Sequence, residues 1–147
     1  MPVEPLLAAL ILFGVSACVF ALIRGGKDER IGAAVILANL VAALINELLG
    51  QAQIGTLLID GITALILLGV AVRFASAWLG AVMLLYGLQF TLQAYYLVMD
   101  RARDVLSVRL NNLDFFLVCL CVAVATALTE IKRRKVAAGR PGADHPT

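Results

Sequence analysis

The stretch IGTLLIDGITALILLGVAVRFASAWLGAVMLLYGLQFTLQAYYLV, residues 54–98, decides the fold. It is apolar apart from Asp60, Arg73 and a few amides and hydroxyls. It is also too long for a single crossing of a bilayer core, which takes roughly 17–25 residues of helix. Cut at Arg73-Phe74, it yields segments 54–72 and 75–98, of 19 and 24 residues, each long enough to span. One re-entrant hairpin is the alternative, and the length of both halves favours two full spans.

Similar runs flank this stretch at 5–23, 31–49 and 113–131, which makes five expected spans in all. Hydrophobic residues make up 62% of the chain and the mean hydropathy is +0.96. Ordinary soluble domains hold roughly 45–50% apolar residues, so a water-soluble fold could not hide this surface. Backbone groups in hydrocarbon must be satisfied within the segment, which predicts an all-α transmembrane bundle. No alternating ten-residue pattern suggests a membrane barrel.

Charge placement gives an expected orientation. With the N-terminus outside, the inside carries Arg24, Lys27, Arg30, Arg73, Lys132, Arg133, Arg134, Lys135 and Arg140, while Arg101, Arg103 and Arg109 lie outside. Only an odd number of spans puts both basic clusters on one side. The first run has its basic residues after it and no small-residue cleavage site, so it reads as a retained span rather than a signal peptide. Residues 1–135 form the expected five-helix domain, and 136–147, with Gly, Pro and small residues, the expected disordered cytoplasmic tail. Residues 99–112 are expected as a loop in which Val105, Leu106, Val108 and Leu110 allow an amphipathic turn on the outer interface.

Small residues at Gly14, Ala17 and Ala21, at Ala34, Ala38 and Ala42, and at Gly80 and Gly87 mark expected faces of close helix approach. The Lys132-Arg133-Arg134-Lys135 run is expected as a topology anchor that can also meet anionic lipid headgroups. Glu130 beside it is explained by an interfacial ion pair.

The residues that can carry chemistry are the polar ones expensive to place in lipid. Glu47 and Asp60 are expected about 3 Å and 9 Å below the outer boundary. Asn39 and Asn46 share a helix face within about 20°, and Glu47 lies about 80° from Asn39. Gln89, Thr91 and Gln93 of the fourth span reach similar depths, followed by Tyr95 and Tyr96 at the aromatic belt. Asp114 begins the fifth span on the same side. The expected picture is a polar outer half around Asp60 above a nearly pure aliphatic inner half. Asp60 can exchange a proton with the outside or donate a hydrogen bond to Gln93 or Asn46. The plainer reading is that Asp60 and Glu47 only fix helix register.

Catalytic readings find little support. The single histidine, His145, lies in the tail, which removes His-based haem ligation and acid–base chemistry from the spans. No metal-ligand cluster, phosphate-cradling Gly loop or serine elbow occurs, so neither a cofactor nor an enzyme activity is expected. Cys119 and Cys121 point away from each other on a helix and, with Cys18, read as small hydrophobes. No basic stripe suggests nucleic acid.

The segment Gly25-Gly26-Lys27-Asp28-Glu29-Arg30-Ile31 running into Leu37-Ala38-Asn39, with Asp60-Gly61, Arg73 and Trp78-Leu79-Gly80-Ala81, resembles a group of small multi-pass membrane proteins of alphaproteobacteria. Members often carry a His and a second Trp in the fourth span, where this chain has Leu92-Gln93-Ala94-Tyr95. The resemblance implies a bacterial inner membrane and supplies no activity. The functional expectation is a non-catalytic accessory or assembly subunit, packing in the bilayer against a membrane protein partner or copies of itself. A small proton- or cation-coupled carrier or channel, with an outward-facing acidic site at Asp60, is the alternative.

Overall fold

The computed structural model describes residues 3–50, 53–99 and 105–138. They form five helices, α1 (Val3–Arg24), α2 (Lys27–Leu48), α3 (Gln53–Phe74), α4 (Ala77–Val98) and α5 (Val105–Ala138). All five are long and apolar enough to cross a membrane, and no strand occurs among the described residues. Each of α1 to α4 has 22 residues, so each is about 33 Å long at 1.5 Å per residue. Both halves of the 54–98 stretch therefore have full spanning length.

Two of the breaks are only two residues long. Gly25-Gly26 alone separates α1 from α2, with the Gly25 amide donating to Ala21 O at 2.8 Å and Gly26 extended. A Cβ on Gly25 would run into the Ala21 carbonyl, and one on Gly26 would meet the Glu29 carboxyl at 2.5 Å. Gly50 ends α2 at φ 61°, the left-handed conformation glycine adopts without steric cost. Ala75 and Ser76 join α3 to α4, and Ala75 adopts φ 48° despite its Cβ. This tight reversal makes α3 and α4 an antiparallel hairpin.

The helices form a closed ring. Each packs against the next in sequence, α5 returns to α1, and a smaller contact between α5 and α2 crosses the interior. The core occupies the half toward the Gly25-Gly26 turn, where Cys18, Ala21, Ala33, Ile36, Leu67, Leu79, Val82, Val118 and Val122 are buried together. Gly14 lets Phe115 and Cys119 of α5 approach α1, and Gly32 takes the Trp78 ring, which a Cβ would meet at 2.6 Å. Phe13 and Phe116 stack at 5.4 Å. The outward faces are apolar, with Leu12, Leu65, Val72, Leu84 and Leu88 all exposed.

Two expectations need correction. The fifth helix starts at Val105, eight residues before 113, and runs beyond Lys135 to Ala138. Arg109, expected in a loop, lies within the helix because 105–138 contains no Gly or Pro to break it. At 34 residues α5 is about 51 Å long, more than the roughly 30 Å that a hydrocarbon core requires. Of the expected tail, 136–138 are helical, and 139–147 lie outside the described residues, as do 100–104 of the expected loop. The small-residue rule also holds unevenly. Gly14, Ala17 and Ala21 are buried, whereas Ala34, Ala38, Gly80 and Gly87 face outward.

The basic end is tied by its own polar contacts. Asp28 accepts from Ser76 Oγ at 2.9 Å and Trp78 Nε1 at 3.2 Å, joining the starts of α2 and α4. Glu130 pairs with Arg24 at 3.4 Å and Arg134 at 3.1 Å, the ion pair expected for it. Buried Glu29 accepts from Thr129 Oγ1 at 2.5 Å.

Replacing Ala75 by Gly removes the left-handed strain at the α3–α4 turn. The expected result is stabilisation of about 1 kcal/mol, read as a higher thermal midpoint in detergent micelles. A lower midpoint contradicts the turn geometry.

Candidate functional site

Polar residues recur at helical spacing on one face of four helices. They are Asn39 and Asn46 on α2, Thr56, Asp60 and Thr63 on α3, Gln89 and Gln93 between Tyr86 and Tyr96 on α4, and Ser107, Asn111 and Asp114 on α5. Steps of three and four residues keep such positions on one side of a helix, and the ring turns these sides inward. α1 contributes only apolar side chains, Leu7, Leu10 and Ile11.

These faces enclose a cavity of about 510 Å³, lined by all five helices at the end where α2 gives way to α3, with Thr63 and Asp114 set back from its wall. That volume is in the range of sites for small organic molecules. Glu47 and Asp60 are among its wall residues, and no described residue lining it is basic. Toward the other end the cavity meets Tyr86, Ile36 and Val118, below which Leu67, Leu79, Val82 and Val122 are fully buried. This plug closes one side.

Asp60, 4% exposed, is the centre of the polar wall. Its Oδ1 accepts from Asn39 Nδ2 at 3.3 Å, and its Oδ2 accepts from Gln89 Nε2 at 3.2 Å and Gln93 Nε2 at 2.7 Å. The same Asn39 nitrogen donates to the Tyr86 hydroxyl at 3.3 Å, and Asn39 Oδ1 accepts from Thr63 Oγ1 at 2.9 Å. Gln89 Nε2 also donates to Asn111 Oδ1 at 3.1 Å. A continuous network thus runs from α2 and α3 through α4 to α5. Bonds to a carboxylate contribute about 1.5–3 kcal/mol each, and a low local dielectric raises the cost of leaving any member unpaired.

Asn39, Asp60, Gln89 and Gln93 are therefore brought together. The direction of the Gln93 bond is the reverse of the one expected, since Gln93 donates and Asp60 accepts. Asn46 bonds Thr56 at 3.2 Å instead of Asp60, because it sits two turns nearer the end of α2. Glu47 is exposed at the cavity mouth. Thr91 turns its hydroxyl back to Gly87 O and faces outward. Lys132, Arg133, Arg134 and Lys135 lie at the far end of α5, where Arg133 donates to Arg24 O at 3.0 Å.

Tyr86, Asn111, Thr63 and Asp114 were not singled out as site residues from the sequence. The signal was present in the 86/89/93/96 and 107/111/114/118 spacings. It was obscured on α5 by cutting that helix at its charges. Cys18 and Cys119 are buried and Cys121 half-buried, all as free thiols. No group of three His, Cys, Asp or Glu side chains able to hold a metal occurs among the described residues.

Fold and site define a bundle of five helices long and apolar enough to cross a membrane, with a polar cavity at one end. No protein-family model matches the chain, and neither the curated proteins nor the solved structures give a match.

Asp60→Leu removes the acceptor for three amide donors on two neighbouring helices. The expected outcome is destabilisation by about 3–5 kcal/mol, measured as thermal or denaturant unfolding in micelles. A loss under about 1 kcal/mol contradicts the network, since that is the scale of a single exposed contact.

Proposed function

We propose that this chain binds a small organic cation in the cavity around Asp60, as the recognition element of a carrier-type membrane protein. The observation that carries the proposal is a cavity of about 510 Å³ walled by two acidic and no basic described side chains. Low-dielectric walls of one sign focus potential and concentrate ligands of the opposite sign. The remaining lining is largely aliphatic and aromatic, including Leu40, Leu57 and Phe115, which suits an ammonium group carrying apolar substituents. Asp60 supplies charge while its amide partners hold it in place, and Glu47 at the mouth draws the cation in. The plug of Leu67, Leu79, Val82 and Val122 fits a state open to one side only.

The positive-inside pattern supports an orientation with the N-terminus and the cavity mouth outside and the Lys132–Lys135 run in the cytoplasm. The resemblance to small alphaproteobacterial membrane proteins supports a bacterial inner membrane.

The accessory-subunit reading is favoured by a separate observation. Gly69, Gly80 and Gly87 have open space over their Cα atoms, and Gly80 and Gly87 lie seven residues apart on the outward face of α4. A helix of a partner or second copy can approach closely there.

The cation reading is tested by titrating the purified chain in nanodiscs with benzyltrimethylammonium and, separately, with benzenesulfonate. Saturable binding of the cation alone is expected. Ala43→Phe, which fills the cavity from a wall position that makes none of the Asp60 hydrogen bonds, should weaken it by about tenfold or more. Glu47→Gln should weaken it only about twofold to threefold, as its exposure implies. Equal binding of both probes, or an unaltered affinity in Ala43→Phe, contradicts the reading. For the subunit reading, Gly80→Leu with Gly87→Leu should abolish cross-linked species seen in native membranes, and an unchanged cross-linking pattern argues against it.

A further inference from the structure

Asp114 is a buried acid that the network around Asp60 does not use. It is 6% exposed, and among the described residues neither carboxyl oxygen has a hydrogen-bond partner. It lies on the face of α5 that also carries Ser107, Asn111 and Val118, all three of which line the cavity. Asn111, three residues before it, receives the Gln89 bond that ends the Asp60 network. Asp60 on α3 and Tyr86 on α4 are within its electrostatic reach.

Both orphan atoms are acceptors, so the missing partner is a donor or a cation. An isolated charge in a dry bundle is among the most expensive groups to leave uncompensated. The facing titratable groups cannot compensate it. Asp60 repeats its charge, Tyr86 is a phenol, and the thiols of Cys18 on α1 and Cys119 on α5 carry no positive charge. α2 presents the Asn39 amide at this level and Glu47 at the mouth. No described lining residue is Lys, Arg or His.

We propose that Asp114, buried on the α5 face whose Ser107, Asn111 and Val118 line the cavity, binds one exchangeable monovalent cation that the organic cation of the cavity displaces. The inference rests on the cavity reading above and deepens it by naming the counter-ion. The exchange is balanced in charge, one monovalent cation leaving as another enters. A proton and an alkali ion share this chemistry. Two positive charges held close together in a low-dielectric interior repel each other, which makes the two ligands competitors.

The experiment follows benzyltrimethylammonium binding to the full chain in nanodiscs, first across pH and then as sodium chloride replaces caesium chloride at constant ionic strength. In the native protein the apparent affinity should fall about tenfold for each tenfold rise in the competing ion, proton or sodium, as one-site competition requires. The ion that produces this slope is the occupant. Asp114→Asn should bind the organic cation with no slope against either ion. A native protein flat against both, or an Asp114→Asn variant that keeps the slope, overturns the proposal. A second readout needs no organic cation. The thermal midpoint of the ligand-free native protein should rise with the occupant ion, and that rise should vanish in Asp114→Asn or, if that variant does not fold, in Asp114→Leu. Equal ion dependence in native and variant chains rejects the Asp114 site whatever the cavity does. A lost ion dependence without any binding of benzyltrimethylammonium rejects the cavity reading and the exchange with it, and leaves only the ion at Asp114.

Discussion

A carboxyl group placed among hydrocarbon helices must find its hydrogen-bond donors inside the bundle, and Asp60 finds them on both neighbours of its own helix. Asn39 reaches it from α2, and Gln89 and Gln93 reach it from α4. A buried carboxyl that loses such donors bears the desolvation cost itself. The position of α3 between α2 and α4 is thereby specified at one level along its length. Thr63 and Tyr86 complete the arrangement by engaging the remaining groups of Asn39. Moving any of the three helices by a turn breaks several bonds at once.

From that fixed level the molecule divides into two unlike halves. Toward the Gly25-Gly26 turn the ring closes on small and branched apolar side chains, helped by Gly14 and Gly32 where aromatic rings press against the backbone. Toward the opposite end the same ring is held apart by longer polar side chains, and a cavity results. Helix ends at the closed side are joined through Asp28, Glu29 and Glu130, so each half carries its own polar ties. The apolar surface that faces outward is what five membrane-length helices need in order to sit in lipid. The cavity is thus a consequence of where polar side chains replace close packing.

Much of the fold was legible because membrane length and apolar composition are coarse, strong signals. The five segments and the polarity around Asp60 follow from them. What was misjudged depended on reading charges as boundaries. Arg109 looked like a loop residue, yet no helix breaker accompanies it, and α5 passes straight through. Ala34, Ala38, Gly80 and Gly87 looked like packing faces, because residue size alone does not say which side of a helix is turned inward. The partners of Asp60 were partly visible in Asn39, Gln89 and Gln93. Asn46 was assigned to the same cluster because sharing a helix face says nothing of depth, and depth sends it to Thr56. The role of Asp114 is not legible in the sequence, since only three-dimensional packing shows that its oxygens lack hydrogen-bond partners among the described residues.

The central claim is that Asp60 and the amides of its neighbours act as one cooperative unit that holds the cavity half of the ring together. A double-mutant cycle between Asp60 and Gln93, whose bond is the shortest of the three at 2.7 Å, tests it directly. Asp60→Asn, Gln93→Leu and the double variant are compared by unfolding in micelles. A coupling energy of about 1–3 kcal/mol is expected for residues that share one buried network. Additivity of the two single effects within about 0.5 kcal/mol, the behaviour of independent sites, would contradict it.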